Sequence, residues 1–151
     1  PSWGYMLEHG ATTIWEEWNG NNSHLHSTLM AIGNWFSEGI GGIRPDPEYP
    51  GYKRFVVQPG VVGNLSDARA SYDSPYGMIR SDWRIDNGHF KLELQVPPNS
   101  RALVSLPAGC KEAVREQGRP AAKAKGVRFV RMQGKRALFE CQAGGFRFTV
   151  D

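Results

Sequence analysis

The sequence predicts a mainly β protein with an N-terminal helical segment, its strands arranged as an antiparallel β-sandwich. Three observations lead there. Ile79, Ser81, Trp83 and Ile85 alternate with polar residues up to Asp86-Asn87-Gly88, and Phe90, Leu92, Leu94 and Val96 alternate away from it. Asn-Gly between alternating runs marks a hairpin, because a type I′ turn needs positive φ at both central residues. Further short apolar runs follow at a regular rhythm of turns, as in a sandwich. Residues 1–50 instead carry a helical stripe, in which Leu25, Leu29, Ile32, Phe36 and Ile40 recur at steps of three and four.

The elements follow in order. Ala11–Trp18 is expected as a second helix or an extended turn, since β-branched Thr12, Thr13 and Ile14 weaken helix. Asn22 and Ser23 are good N-caps for the striped helix, and Gly39, Gly41 and Gly42 stop it. Arg44-Pro45-Asp46-Pro47-Glu48-Tyr49-Pro50-Gly51 reads as an extended join, because its prolines forbid a regular helix. Beyond it, Phe55–Val57 is a short strand closed by Pro59-Gly60, and Ala68, Ala70 and Tyr72 alternate with Arg69 and Ser71. After the hairpin, Pro97-Pro98-Asn99 ends a strand. Leu103–Leu106, Val127–Val130, Ala137–Cys141 and Phe146–Val150 supply more strands, and Ala121–Gly126 reads as a turn or short helix. The expected domains are therefore 1–50 and 51–151.

Charge divides at the same place. Residues 1–50 carry one basic residue, Arg44, and six acidic ones, net −5, whereas residues 51–151 carry 17 basic and nine acidic, net +8. Four of the five tryptophans and three of the four histidines lie in the first part. Two short helices cannot bury four tryptophans alone, because units this small bury too little surface. The first part is therefore expected to pack on other polypeptide.

Composition excludes several classes. The 40% hydrophobic content rules out wholesale disorder. No apolar run approaches the roughly 20 residues of a transmembrane helix, so no membrane partner is expected. Pro1 is no initiator and no basic flank precedes an apolar stretch, so the chain is expected to begin mid-protein. The pI near 9.0 invites nucleic acid, but the cations are spread through the second part without a docking motif, so none is expected. Cys110 and Cys141 are compatible with one bridge or two free thiols. No glycine-rich phosphate loop or nucleophile elbow is present, and no cofactor is expected.

Two short runs could carry chemistry: Trp15-Glu16-Glu17-Trp18 and Ser23-His24-Leu25-His26. Carboxylates between tryptophans suit a sugar site, where aromatic faces stack on a pyranose and carboxylates accept protons. Adjacent Glu16 and Glu17 cannot be the opposed pair of a glycoside hydrolase, because neighbours point in different directions. By spacing alone the pair reads as a solvated face. His24 and His26 sit at a presumed helix start, where they splay apart, and nothing nearby completes a metal set.

These residues also carry a family resemblance. Pro1-Ser2-Trp3-Gly4-Tyr5, Gly10-Ala11-Thr12-Thr13-Ile14-Trp15-Glu16-Glu17-Trp18, Ser23-His24-Leu25-His26 and Gly39-Ile40-Gly41-Gly42-Ile43-Arg44 resemble the end of the catalytic domain of bacterial-type α-L-rhamnosidases. These are inverting glycoside hydrolases built on an (α/α)6 barrel. Phe55–Gly60, Pro97-Pro98-Asn99 and Gly144-Gly145-Phe146-Arg147-Phe148 resemble their C-terminal β-sandwich. The resemblance implies a sandwich preceded by the last barrel helices. It implies Glu16 as general base, His26 as a hydrogen-bonding partner of a rhamnose hydroxyl, and Trp15 and Trp18 as residues that support or line the site. The general acid would lie upstream, in barrel polypeptide this chain lacks. The expected partners are rhamnose-containing glycosides, that missing barrel, and a second copy of the fragment through its exposed helix faces. The alternative from another class is a non-catalytic carbohydrate-binding or structural sandwich, with Trp15, Glu16 and His26 scattered rather than convergent.

Overall fold

A computed structural model describes residues 2–27 and 31–151. The chain divides into two compact units, Pro1–Phe36 and Ser37–Asp151. Among the described residues no helix is long and apolar enough to cross a membrane.

The first unit opens with a helix that the sequence reading did not single out, α1 (Trp3–Glu8). Ser2 caps it by accepting from the Tyr5 amide at 3.0 Å, and Gly10 at φ 78° turns the chain away. Ala11–Trp18 forms the extended turn rather than a helix. The striped helix begins later than its caps suggested. His24–His26 are irregular, Ser27 and Ala31 are in 3-10 turns, residues 28–30 (with Leu29) lie outside the described residues, and α-helix is seen at α2 (Ile32–Asn34), followed by wider π-type turns at Trp35–Ile40. The reason is local competition. The Ser23 hydroxyl bonds both the amide and the carbonyl of Leu25, and the His26 amide is taken by the Ile14 carbonyl. A serine that satisfies nearby backbone in a turn withdraws those groups from a helix.

The second unit is the sandwich. Its strands are β1 (Ile43–Pro45), β2 (Arg54–Val57), β3 (Asp67–Ser74), β4 (Gly77–Asp86), β5 (His89–Val96), β6 (Arg101–Leu106), β7 (Val114–Glu116), β8 (Arg119–Pro120), β9 (Val127–Gln133), β10 (Arg136–Cys141) and β11 (Gly144–Val150). One sheet has the order β1-β2-β6-β10-β9 and the other β3-β4-β5-β11-β7-β8. Pairing is antiparallel except between β2 and β6, which run parallel. The Asn87-Gly88 hairpin has φ of 51° and 81° at its two central residues, as a type I′ turn requires. Alternation sorts the faces: Trp83 is 1% exposed inside, while Arg80 and Arg84 point to solvent. Phe55, Val57, Val104, Leu106 and Phe139 face Ile79, Trp83, Leu92, Leu94 and Phe148 across the core. Cys110 is exposed and Cys141 buried, both as free thiols, and burial pushes the Cys141 thiol well up.

The chain enters this core through Ile40–Gly42. Trp83 Nε1 donates to the Ile40 carbonyl at 2.9 Å, and the Ser81 hydroxyl donates to the Gly41 carbonyl at 2.8 Å. The amides of Gln58 and Gly60 donate to the carbonyls of Gly42 and Ile40. Carbonyls at a helix end need such partners once buried. The approach is close enough that a Cβ on Gly42 (φ 80°) would stand 2.3 Å from the Gln58 carbonyl carbon.

The proline-rich stretch read as a join is extended, but it is also hydrogen-bonded into the sandwich. Pro45 lies on β1 at a sheet edge, the one place where a missing N–H costs nothing. Buried Asp46 accepts from Arg54 Nε at 2.5 Å and from the Glu48 amide at 3.0 Å, and Arg54 lies over the Tyr49 ring.

Two predictions follow from this geometry. Gly42 and Gly88 share nearly the same φ, but nothing lies within 4 Å of a Cβ on Gly88. Gly88→Ala should cost about 1–2 kcal/mol of backbone strain. Gly42→Ala should cost roughly 2 kcal/mol more through overpacking, as read by urea unfolding. Equal costs would refute the crowding. For Asp46, the Arg54 hydrogen bond outweighs the effect of burial and holds the carboxyl below its usual 3.8. That stabilisation is present above the unfolded pKa and is lost as pH falls through the lower folded value. Asp46→Asn should therefore be less stable than wild type at neutral pH, with the two urea midpoints converging below about pH 4.

Candidate active site

The first unit brings the two chemistry-bearing runs together. The Glu16 amide donates to the Ser23 carbonyl at 2.8 Å, and the His26 amide donates to the Ile14 carbonyl at 3.0 Å. These two rungs make a short hairpin-like pairing of residues 14–16 with 23–26. The Thr13 hydroxyl, hydrogen-bonded to the His24 carbonyl, extends the tie. Its connection, 17–22, is closed by local polar groups. The Gly20 amide bonds the Glu17 carbonyl, the Asn21 amide bonds Asn19 Oδ1, and Asn22 Nδ2 donates to Glu17 Oε1 at 2.6 Å. Gly20 takes φ 75°, which a side chain rarely adopts.

The adjacent glutamates have different surroundings. Glu17 is held by Asn22 within the loop. Glu16 Oε2 accepts from the Ser23 amide at 3.3 Å, and its Oε1 stands 4.0 Å from His26 Nε2. Both side chains are reachable: His26 is 37% exposed and Glu16 40%. At that distance and exposure the pair is a weak electrostatic contact. His26 Nδ1 is buried and has no hydrogen-bond partner among the described residues.

Trp15 supports this pairing from beneath. It is buried, with its ring stacked on His24 at 5.1 Å and packed against Gly20, where an added Cβ would stand 3.1 Å from the indole. Trp18 meets Trp3 edge to face at 5.4 Å. His24 Nε2 is engaged by the Gly20 carbonyl. The two histidines thus separate because one packs on Trp15 and the other turns to Glu16, not because a helix start splays them. Among the described residues no three His, Cys, Asp or Glu groups gather to hold a metal. An open cleft of about 650 Å³ beside the hairpin is lined by Trp15 and His24 together with Gly10, Thr12, Thr13 and Ser23, while Glu16 and His26 stand outside it.

The sequence reading missed the Thr13 tie, the Glu17–Asn22 bracket and the hairpin itself. One signal was available. Asn19-Gly20 is the same dipeptide type that marked the turn at 87–88. The flanking runs lack alternation, so by sequence the dipeptide carries no hairpin reading.

Family models match both parts of the chain. The family model for the bacterial alpha-L-rhamnosidase C-terminal domain matches residues 42–120, and that for the bacterial alpha-L-rhamnosidase 6 hairpin glycosidase domain matches residues 1–40. An alpha-L-rhamnosidase of Streptomyces avermitilis is 34% identical over 99% of this chain, and one of Formosa agariphila is 33% identical over 99%. The chain spans only 15% and 17% of those relatives. Among solved structures, the Streptomyces avermitilis enzyme complexed with L-rhamnose matches the whole chain at TM-score 0.87 and 33% identity, covering 15% of that protein. The alpha-L-rhamnosidase from Dictyoglumus thermophilum matches the whole chain at TM-score 0.84 and 29% identity, covering 17% of that protein. With one family model covering the first eight strands of the sandwich, another the segment that carries Glu16 and His26, and relatives about a third identical along nearly the whole chain, the chain belongs to the bacterial α-L-rhamnosidase family.

Proposed function

We propose that this chain is part of an enzyme that hydrolyses terminal α-L-rhamnosyl residues from glycosides with inversion, and that Glu16 is its general base. The observation that supports this best is the convergence of Glu16 and His26. Ten residues apart in sequence, they stand side by side and open to solvent on a hairpin whose backbone is tied at two rungs. An inverting hydrolase needs one carboxylate to activate water on the face opposite the leaving group, with the acid about 6.5–9.5 Å away. Glu16, with one oxygen held by the Ser23 amide and the other facing His26 Nε2 across 4.0 Å, suits that task. His26 then hydrogen-bonds a rhamnose hydroxyl, and the buried Trp15 keeps the hairpin in register. Trp15 lines the cleft beside the hairpin while Glu16 and His26 stand outside it, so the three do not share one cleft, and support for an enzyme remnant over a purely structural sandwich rests on the Glu16–His26 pair.

In this reading residues 1–50 hold the closing end of the catalytic barrel. Residues 51–151 hold the bulk of the accessory sandwich, whose first strand is β1. The general acid belongs to polypeptide outside this chain, so the 151-residue chain alone does not turn over rhamnosides. Replacing Glu16 by Gln in the full-length enzyme should lower kcat for an aryl rhamnoside by about 10²–10⁴-fold, the usual worth of a positioned general base. The thermal midpoint should stay unchanged. Full activity in that variant would sink the assignment, and robust turnover by the isolated chain would sink the missing-acid reading.

The first unit also displays apolar surface. Leu7 is 72% exposed and Leu25 66%, and Trp3, Met6, Ile14, Ile32 and Phe36 line an apolar groove of about 290 Å³. Contiguous apolar surface of this kind favours association. We therefore expect the isolated chain to self-associate through residues 1–50, and light scattering should show a mass that rises with concentration. A monomer at all concentrations would count against it.

A further inference from the structure

The net charge of the chain is concentrated at one place in the fold. Residues 117–139 carry seven Lys and Arg and no Asp or Glu. The remaining 128 residues carry 11 Lys and Arg against 15 Asp and Glu, net −4. The excess that makes the whole chain +3 therefore lies entirely in this stretch.

The topology gathers it. β8 ends the six-stranded sheet, and β9 ends the five-stranded one. Between them a single 3-10 turn, Ala121–Lys123, packs on both β7 and β9. The two sheet ends therefore lie on the same side of the sandwich, bridged by residues 119–127. Arg119, Lys123, Lys125, Arg128, Arg131 and Lys135 are all exposed along this edge. A bulge in β9 adds to the alignment. Arg128 pairs with Glu140 and Arg131 with Leu138, and Val130 is left without a partner. Glu140 and Leu138 share a face, so Arg128 and Arg131 share it too, where a regular strand would set them on opposite sides. Of the six, only Arg128 is held by a carboxylate within 4.0 Å, that of Glu140, among the described residues.

Charged side chains on edge strands also discourage strand pairing between molecules. Either sign serves that purpose, and mixed signs are the usual solution on a surface. A run of one sign across both sheet ends and the turn between them instead creates a field that attracts polyanions.

We propose that this edge, β8 through β9, is a binding surface for an anionic polysaccharide, one bearing carboxylate or sulfate groups. The choice of a glycan rests on the rhamnoside-hydrolase reading: the edge would hold the charged chain from which rhamnose is cut. That the ligand is a polyanion follows from the charge alone. Binding is electrostatic and salt-dependent, and it needs no hydrolysis, so it stands or falls separately from the role of Glu16.

The test uses the 151-residue chain and isothermal titration with sodium polygalacturonate, dextran sulfate, uncharged dextran and duplex DNA, from roughly 50 to 200 mM salt, where screening tightens. The expected result is binding to one or both polyanionic glycans, weakening with salt, and none to dextran. The first two arms separate carboxylate from sulfate recognition. Combined Arg119→Glu, Lys123→Glu and Lys125→Glu should weaken binding by at least about tenfold, as loss of three surface cations implies. Combined Arg69→Glu, Arg80→Glu and Arg84→Glu, the same charge change on the outer face of the other sheet, should have a much smaller effect. Equal losses in the two variants would show that net charge alone acts and would overturn the site. So would equal affinity for dextran. Tighter binding to DNA than to either glycan would overturn the choice of ligand.

Discussion

Three carbonyls, those of Ile40, Gly41 and Gly42, have to be hydrogen-bonded where the chain enters the sandwich. That requirement shapes the second unit. Trp83 and Ser81 supply donors from the inward face of β4, and the amides of Gln58 and Gly60 supply the others from the segment after β2. The buried tryptophan thus has two tasks: its ring fills the core beside Phe90, and its N–H closes the entry. A buried indole N–H without a partner would cost about 1–3 kcal/mol, so the position of the incoming chain and the packing of β4 are set together. Gly42 and Gly60 are the steric side of the same constraint, because each stands where a Cβ would meet backbone below 3 Å.

The site residues obey a parallel rule in the first unit. Two backbone rungs and a handful of side-chain oxygens decide which of two adjacent glutamates is open. Glu17 is drawn into its own loop by Asn22, while Glu16 projects beside His26. Trp15 lines the cleft beside the hairpin, yet most of its ring is covered by His24 and Gly20. A tryptophan in that position acts through the rigidity of the hairpin that carries the carboxylate.

Charge tells a third story. In sequence the acidic first part and basic second part looked like a domain boundary, and the cations of the second part looked dispersed. Folding sorts them further. Those on β4 alternate outward as an ordinary solvated face, while those from Arg119 to Lys135 line up along adjoining sheet ends without a carboxylate in their own stretch.

Much of the sandwich was legible from local pattern. The alternation of Ile79 to Ile85 and Phe90 to Val96 around Asn87-Gly88 dictates a hairpin wherever it occurs, since side-chain period and turn φ are properties of the chain itself. The family resemblance of the Thr-Thr-Ile-Trp-Glu run singles out Glu16 as the proposed base, and folding sets it beside His26. What the sequence could not determine were features made by partners distant in the chain. Short strands at or beside a sheet edge, such as β1, β7 and β8, carry little pattern of their own and exist because a neighbour offers hydrogen bonds. The parallel pairing of β2 with β6 joins segments more than 40 residues apart. The helix expected from His24 onward yielded to Ile14, whose carbonyl claimed the His26 amide. In each case local propensity is worth tenths of a kcal/mol per residue, whereas a buried backbone group left unpaired costs far more. Tertiary structure decides wherever those two disagree.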